Sequence, residues 1–311
     1  MIRSRRHEGE QAVQKRAGEG HEGWGSPMFD DVIPPAFAQF LRRQRMLFIG
    51  AADDEGAVWA SLLTGAAGFA GAVDRHNVVV AALPVAGDPL ERAFETPRAV
   101  GTLAIDPQTI RRIRLNGVAR RRGDALHIRS EQVLGNCPKY IRQRVLLTDD
   151  PGPVRPAAQT RTDLSPAQRR WIAGADTFFI ASHSPEHGAD ASHRGGEPGF
   201  VTVQGPRRLS WPDYVGNSFY MTLGNLHLNP SCGLLFLDWE QGHTLQLTGR
   251  ARVDWDPRRG AALPGALRVV EFDVERVVEI RGATALRWGA GFVAPFRPPV
   301  VRRVPPAGPA A

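Results

Sequence analysis

The sequence predicts a mainly β chain made of two small antiparallel barrels in tandem, each closed or partly closed. Three observations carry that expectation. A set of motifs recurs in the same order along the 311 residues. Short apolar or alternating runs are punctuated by Gly, Pro and Asp. The helical stretches between them are few and short, which leaves the strands to build the core.

The repeat sets Ser61-Leu62-Leu63-Thr64-Gly65-Ala66-Ala67-Gly68-Phe69 against Ser192-His193-Arg194-Gly195-Gly196-Glu197-Pro198-Gly199-Phe200 without a gap. Gly101 to Asp106 then matches Gly233 to Asp238, and Ile113 to Ala119 matches Leu245 to Ala251. Such agreement in order and spacing points to duplication and to an internal pseudo-dimer.

Taken in order, Met46–Ala51, Asn77–Leu83, Ala99–Ile105 and Ile113–Ala119 read as strands of the first half. Phe178–Ala181, Phe200–Val203, Cys232–Leu237, Thr244–Val253 and Val269–Val274 read as strands of the second. A helix opens each half, over Pro34–Arg45 and over Pro166–Ala173, where Ser165 and Pro166 form an N-cap and first-turn pair. The expected boundaries are an N-terminal extension over 1–30, a first half over 31–148, a linker over 149–162, a second half over 163–295 and a loose tail over 296–311.

Composition narrows the function classes. The length suffices for two cores without crosslinks. Cys137 and Cys232 stand far apart, with no CxxC or Cys/His ladder, which fits a reducing compartment. No apolar run reaches the roughly 20 residues of a membrane span, and Met1 to Gly25 lacks a secretory apolar region, so a cytoplasmic protein is expected. The net charge of +7 and pI near 10.3 raise the question of nucleic acid. Arg111, Arg112, Arg114 and Arg120 to Arg122 do not interleave with aromatic residues, however, and an anionic cofactor or a solvated strand face explains them as well.

Chemistry concentrates where the two halves differ. Trp211 to Ser218 leads into a short helix expected over Phe219–Leu228, whose start, beside Gly216, Asn217 and Ser218, would seat a phosphate. The first half has Asp88 in the place of Asn217 and Leu63 in the place of Arg194, so the anion is expected in the second half alone. Gly135-Asn136-Cys137-Pro138-Lys139-Tyr140 shows the reverse asymmetry. Its counterpart near Glu279 to Gly282 shares none of it, and it offers backbone donors, one cation and one aromatic plane suited to a flavin ring.

Plainer readings stand beside these. Gly195-Gly196 is either a cofactor turn or a strand connection, and Asn217 and Ser218 are either ligand contacts or helix caps. Cys137 reads first as a small buried residue. His183 and His187 have the spacing of a metal pair, but Pro185 opposes a helix and no third ligand is evident, so no metal is expected. Asp238 and Glu240 have no matched partner for acid–base work.

His7-Glu8-Gly9-Glu10-Gln11-Ala12-Val13-Gln14, Trp59-Ala60-Ser61, His193-Arg194-Gly195-Gly196 with Pro198-Gly199-Phe200, Gly216-Asn217, Leu223-Gly224-Asn225-Leu226 and Gly135 to Ile141 together resemble the landmarks of tandem flavin-nucleotide-binding proteins related to pyridoxamine 5'-phosphate oxidase. The resemblance implies tandem split β-barrels with FMN at the interface between them. It makes Ser192, Arg194, Asn217 and Ser218 candidate phosphate or ribityl contacts, and Asn136, Cys137, Lys139 and Tyr140 candidate ring contacts. The sequence departs from the family where Ala66-Ala67 replaces a proline-rich turn, which would loosen that loop. The phosphate clamp and C-terminal motif of the true oxidases are also absent, so their activity is not expected.

The implied function is an FMN-dependent oxidoreductase passing hydride or electrons from a donor such as NAD(P)H to a small acceptor. The alternative is a non-catalytic flavin- or tetrapyrrole-binding module. Partners are then the flavin nucleotide and small molecules, without a membrane and with nucleic acid disfavoured, and a homodimer stays open.

Overall fold

The computed structural model describes residues 6–19, 30–135, 139–148, 155–216 and 219–291. In chain order the elements are α1 (Glu8–Arg16), α2 (Pro35–Arg42), β1 (Met46–Ala52), β2 (Val58–Thr64), β3 (Ala70–Ala72), β4 (Asn77–Val80), β5 (Arg98–Asp106), β6 (Arg111–Arg122) and β7 (Ala125–Gly135). They continue with β8 (Arg144–Thr148), β9 (Ala157–Arg161), α3 (Pro166–Gly174), β10 (Thr177–Ser184), β11 (Gly188–Gly195), β12 (Thr202–Val203), β13 (Arg208–Tyr214) and α4 (Met221–Leu228). The last are β14 (Ser231–Leu237), β15 (Thr244–Asp254), α5 (Pro257–Ala261), β16 (Ala266–Arg281) and β17 (Arg287–Ala290).

Two large antiparallel sheets dominate, and they share one topology. The first runs β2-β1-β5-β6-β7-β4-β3 and the second β11-β10-β14-β15-β16-β13-β12, which is the same order carried forward by nine strands. Equivalent strands break register at equivalent points, between Asn116 and Gly117 on β6 and between Thr248 and Gly249 on β15. In the first sheet every strand sends side chains into a single cluster, from Leu47 and Trp59 through Val80 and Val100 to Leu115 and Ile128. A sheet whose strands all face one core is curled around it, as a mainly β split barrel requires.

Strands β1, β5, β10 and β14 read as unbroken apolar runs because both their faces are covered. On β1, Leu47, Ile49 and Ala51 enter the first barrel, whereas Met46, Phe48 and Ala52 join a separate core with Phe179, Ala181, Leu235 and Leu237 of the second sheet. That third core is the junction. Phe48 stacks on its repeat equivalent Phe179 with ring centroids 3.4 Å apart. Gly101 on β5 lies against the backbone of Asp190 and Ala191, and its equivalent Gly233 on β14 lies against that of Val58, Trp59 and Ala60. Each half thus presents the same patch to the other, the reciprocity of a twofold interface. A Cβ at Gly233 would stand 2.5 Å from the Cα of Trp59, so only glycine permits the approach.

Polar links cross the junction at equivalent positions. Arg114 on β6 donates to Asp190 on β11 at 2.8 Å, with both side chains almost wholly buried. Gln246 on β15, the repeat equivalent of Arg114, donates to Ala60 O at 2.9 Å, to Ser61 Oγ at 3.0 Å and to Asp88 Oδ2 at 3.0 Å. Removing one member of a buried pair such as Arg114–Asp190 costs about 3–5 kcal/mol, because the other charge is left without compensation.

Several local expectations are met or amended. Ser165 caps α3 in a reciprocal box with Gln168, at 3.2 and 2.9 Å. The segment expected as linker contains β9, which pairs with β16 and widens the second sheet. The Ala66-Ala67 turn is as closed as its twin: Phe69 N–H donates to Ala66 O, and Phe200 N–H to Glu197 O, each at 2.9 Å. The expected helix over Phe219–Leu228 starts at Met221, after Tyr220 in the left-handed region at φ 57°. The tail over 296–311 lies outside the described residues. Among those described, no helix is long and apolar enough to cross a membrane.

Two predictions follow from the junction. Gly233→Ala is expected to lower the stability of the chain by about 1–3 kcal/mol or more in urea unfolding, because strand backbone rather than a mobile side chain must yield. Burial lifts the Asp88 carboxyl from the usual 3.8 to about 6, outweighing hydrogen bonds from Ser61, the Leu90 N–H and Gln246. The folded state therefore holds that proton more tightly than the unfolded state. Its stabilising contribution is complete below about pH 3.8 and is lost as pH rises through about 6. Asp88→Asn should flatten the stability profile across that window by up to about 3 kcal/mol, and unchanged profiles would contradict the assignment.

Candidate functional site

Along β11, alternation places Asp190, Ser192 and Arg194 on one face. Where this strand ends, a cavity open to solvent lies between the two halves. The second half contributes Ser192, His193, Arg194, Gly195, Phe200, Pro212, Asp213, Tyr214 and Gly216, and the first contributes Arg112, Lys139 and Tyr140.

The first half reaches the cavity because its segment after β7 docks on the end of β11. Tyr140, left-handed at φ 67°, donates its hydroxyl to Val215 O at 2.6 Å, and its ring stacks on Tyr214 with centroids 5.4 Å apart. Arg142 donates to Gly196 O from Nη2 at 3.0 Å and from Nε at 3.3 Å. Gly195 sits so close to Tyr140 O that no side chain fits there.

The lining is rich in positive charge. Arg194 donates from Nη1 to Ser192 Oγ at 3.0 Å and to His193 O at 3.1 Å, while its Nη2 is buried with no hydrogen-bond partner. Burial pushes the Arg194 pKa down, and Asp213 opposes that shift. Arg112 Nη1 lies 3.0 Å from His193 Nδ1. Burial first, then the charges of Arg112 and Arg194, hold His193 well below its usual pKa, so it is neutral and its Nδ1 accepts from Arg112. Asp213 is the acid of the lining, paired with Arg268 Nε at 3.2 Å, and burial raises its pKa. Three cations, Arg112, Lys139 and Arg194, therefore stand against one partly compensated carboxylate, an arrangement that favours an anion.

The corresponding corner of the first barrel is filled. Leu63, the counterpart of Arg194, belongs to the first core, and Val278, Ile280 and Ala283 from the second half enter that core with Leu83 and Val85 packed against it. Asp88 and Gln246 occupy the space around Ser61, the counterpart of Ser192.

Of the residues singled out from the sequence, Ser192, Arg194, Gly195, Gly216, Lys139 and Tyr140 line this cavity, whereas Gly196 does not line it and its carbonyl accepts from Arg142. Asn136, Cys137, Asn217 and Ser218 lie outside the described residues. Of the expected phosphate seat only Gly216 is described, and it lines this cavity; further along, Met221 and Asn225 of α4 line a second, smaller cavity with His7, Glu10, Gln132, His187, Ala189 and Asp190. Sequence reasoning missed Arg112, His193, Asp213 and Tyr214. His193 and Tyr214 lay inside motifs already noticed, whereas Arg112 was one of several arginines. Arg112 lines the cavity, whereas Arg120 to Arg122 are exposed strand residues. Cys232 is buried and its thiol pKa is raised, so it is packed rather than reactive. Asp238 caps its own turn at the Glu240 and Gln241 amides.

No protein-family model matches the chain, and no curated protein matches it. Solved structures match parts of it. HupZ of Group A Streptococcus is 11% identical, with 37% of this chain and 92% of that one covered and a TM-score of 0.30. The FAD-binding protein of Mycobacterium smegmatis is 14% identical over 40% and 98%, with a TM-score of 0.26. An FMN-binding protein of Syntrophomonas wolfei is 8% identical over 36% and 84%, with a TM-score of 0.27.

The docking of Tyr140 yields a test. Gly195→Ala should cost about 1–3 kcal/mol of stability and raise amide hydrogen exchange across residues 139–142, because Tyr140 O must retreat from β11. Unaltered exchange there would show that the segment is held by other contacts.

Proposed function

We propose that the chain is an FMN-binding flavoprotein that acts as an oxidoreductase, with one flavin at the cavity between the end of β11 and the Lys139–Tyr140 segment. The observation that carries this reading is the buried Arg194 Nη2, which lacks a partner in a cavity that also presents Arg112, Lys139 and the stacked Tyr140–Tyr214 pair. A buried guanidinium nitrogen without an acceptor is costly, and a phosphate oxygen would satisfy it.

Arg194 and Ser192 would hold the phosphate, with Arg112 adding positive charge. Lys139 would offset negative charge on the ring system, and Tyr140 and Tyr214 would supply aromatic surface. Gly216, at φ 135°, gives the backbone close access to the ligand. FMN itself supplies hydride and electron transfer when bound. The protein's part is to orient it, to keep His193 neutral as a hydrogen-bonding wall and to shield the site from water through Phe200 and Pro212. A reduced nicotinamide is the proposed donor and a small molecule the acceptor.

Arg194→Leu copies the first half. It should weaken FMN by about 10–100-fold, the worth of one hydrogen bond to a charged group, while leaving riboflavin affinity nearly unchanged in fluorescence titrations. Equal loss for both ligands would remove the phosphate from Arg194. Bleaching of the bound flavin by NADH or NADPH supports the oxidoreductase, whereas a flavin that neither reduces supports the binding module.

A further inference from the structure

A second cluster of chemistry-bearing side chains lies at the N-terminal helix, outside the cavity assigned to the flavin. His7 is the N-cap of α1, Glu8 is its first residue, and His187 stands in the turn between β10 and β11. One donor atom from each lies within 4.8 Å of the other two. His187 Nε2 is 2.8 Å from Glu8 Oε1 across a separation of 179 residues. The imidazoles of His7 and His187 stack with centroids 4.6 Å apart and planes 6° from parallel.

We propose that His7, Glu8 and His187 bind a first-row divalent cation of the Zn²⁺ kind. Two imidazoles and a carboxylate are a donor set suited to such an ion and leave a coordination position for water. Glu10, 2% exposed, lies 3.3 Å from His7 Nε2 and also accepts from the His7 backbone N–H at 3.3 Å. It holds the His7 ring from one side, as carboxylates behind metal-bound histidines do. The adjoining cavity is lined by His7, His187, Glu10 and Asp190 and has room at its centre for one water or bare ion. The 4.8 Å limit on their separation compares with the roughly 3.3 Å donor spacing of a tetrahedral site.

Such an ion would tie α1 to the second sheet. Helix α1 crosses α4 where Gly9 meets Gly224, directly above the buried Asp190, which Thr222 of α4 also contacts at 2.9 Å. The site would thus clamp the N-terminal helix over the Arg114–Asp190 link between the halves.

The full-length protein, stripped with a chelator, is titrated with Co²⁺ by absorbance and with Zn²⁺ against a chromophoric chelator. The expected result is one equivalent bound, with visible d–d bands and no thiolate charge-transfer band. His187→Gln, at a partly exposed position, should weaken binding at least tenfold, and Glu8→Gln should weaken it less. His183→Ala, outside the cluster, should bind as the unaltered chain does. Circular dichroism verifies that each variant folds. Absence of saturable binding, or equal affinity in the unaltered chain and His187→Gln, overturns the proposal. Neither result bears on the flavin site, which the titration does not read.

Discussion

The close approach of the two sheets is the constraint on which the rest depends. Gly101 and Gly233 lie where a strand of one half crosses the backbone of the other, and Phe48 stacks on Phe179 between them. Backbone packed on backbone leaves almost no freedom to slide, because interiors at crystalline density do not deform continuously. With that register fixed, β6 delivers Arg112 and Arg114 to the side of β11, and the segment after β7 delivers Lys139 and Tyr140 to its end. A candidate site made from both halves is a by-product of holding them this tightly.

Equal architecture with unequal side chains then decides where a ligand fits. Leu63 faces one barrel end and Arg194 the equivalent end, so one corner is closed by apolar packing and the other lined by cations. Closure on the first side recruits Val278, Ile280 and Ala283 from the second half, and the spare polar space is taken by Gln246 and the Asp88 carboxyl. On the second side the equivalent of Gln246 is Arg114, which turns to Asp190 instead. The same pair of sheets has therefore closed one corner by packing and left the other an open cavity lined by cations.

Charge at the junction extends to the N-terminal helix. Asp190 holds Arg114 from the first half and Thr222 from α4, and its cavity is roofed by His7 and Glu10 of α1. Three chain segments remote in sequence converge on one buried carboxylate. Such a network is stable only when all its members are present, so α1 is a part of the second barrel's polar interior and no mere extension of the chain.

The sequence by itself determined the repeat, about half of the strands in each half and the asymmetry that puts an arginine in one copy opposite a leucine in the other. Those are local or periodic signals: glycines at fixed spacing, apolar runs of strand length, and an arginine in one copy facing a leucine in the other. Ser192, Arg194, Gly195, Gly216, Lys139 and Tyr140 were legible for the same reason, since each sat in a motif unlike its twin. Only the tertiary structure decided what covers what. It placed Tyr214 against Tyr140, chose Arg112 from a row of similar arginines, added β9 to the second sheet and brought His187 to His7 rather than His183. Each of these pairings joins residues far apart in the chain, and their proximity is fixed by the crossing of two sheets, which no local spacing encodes.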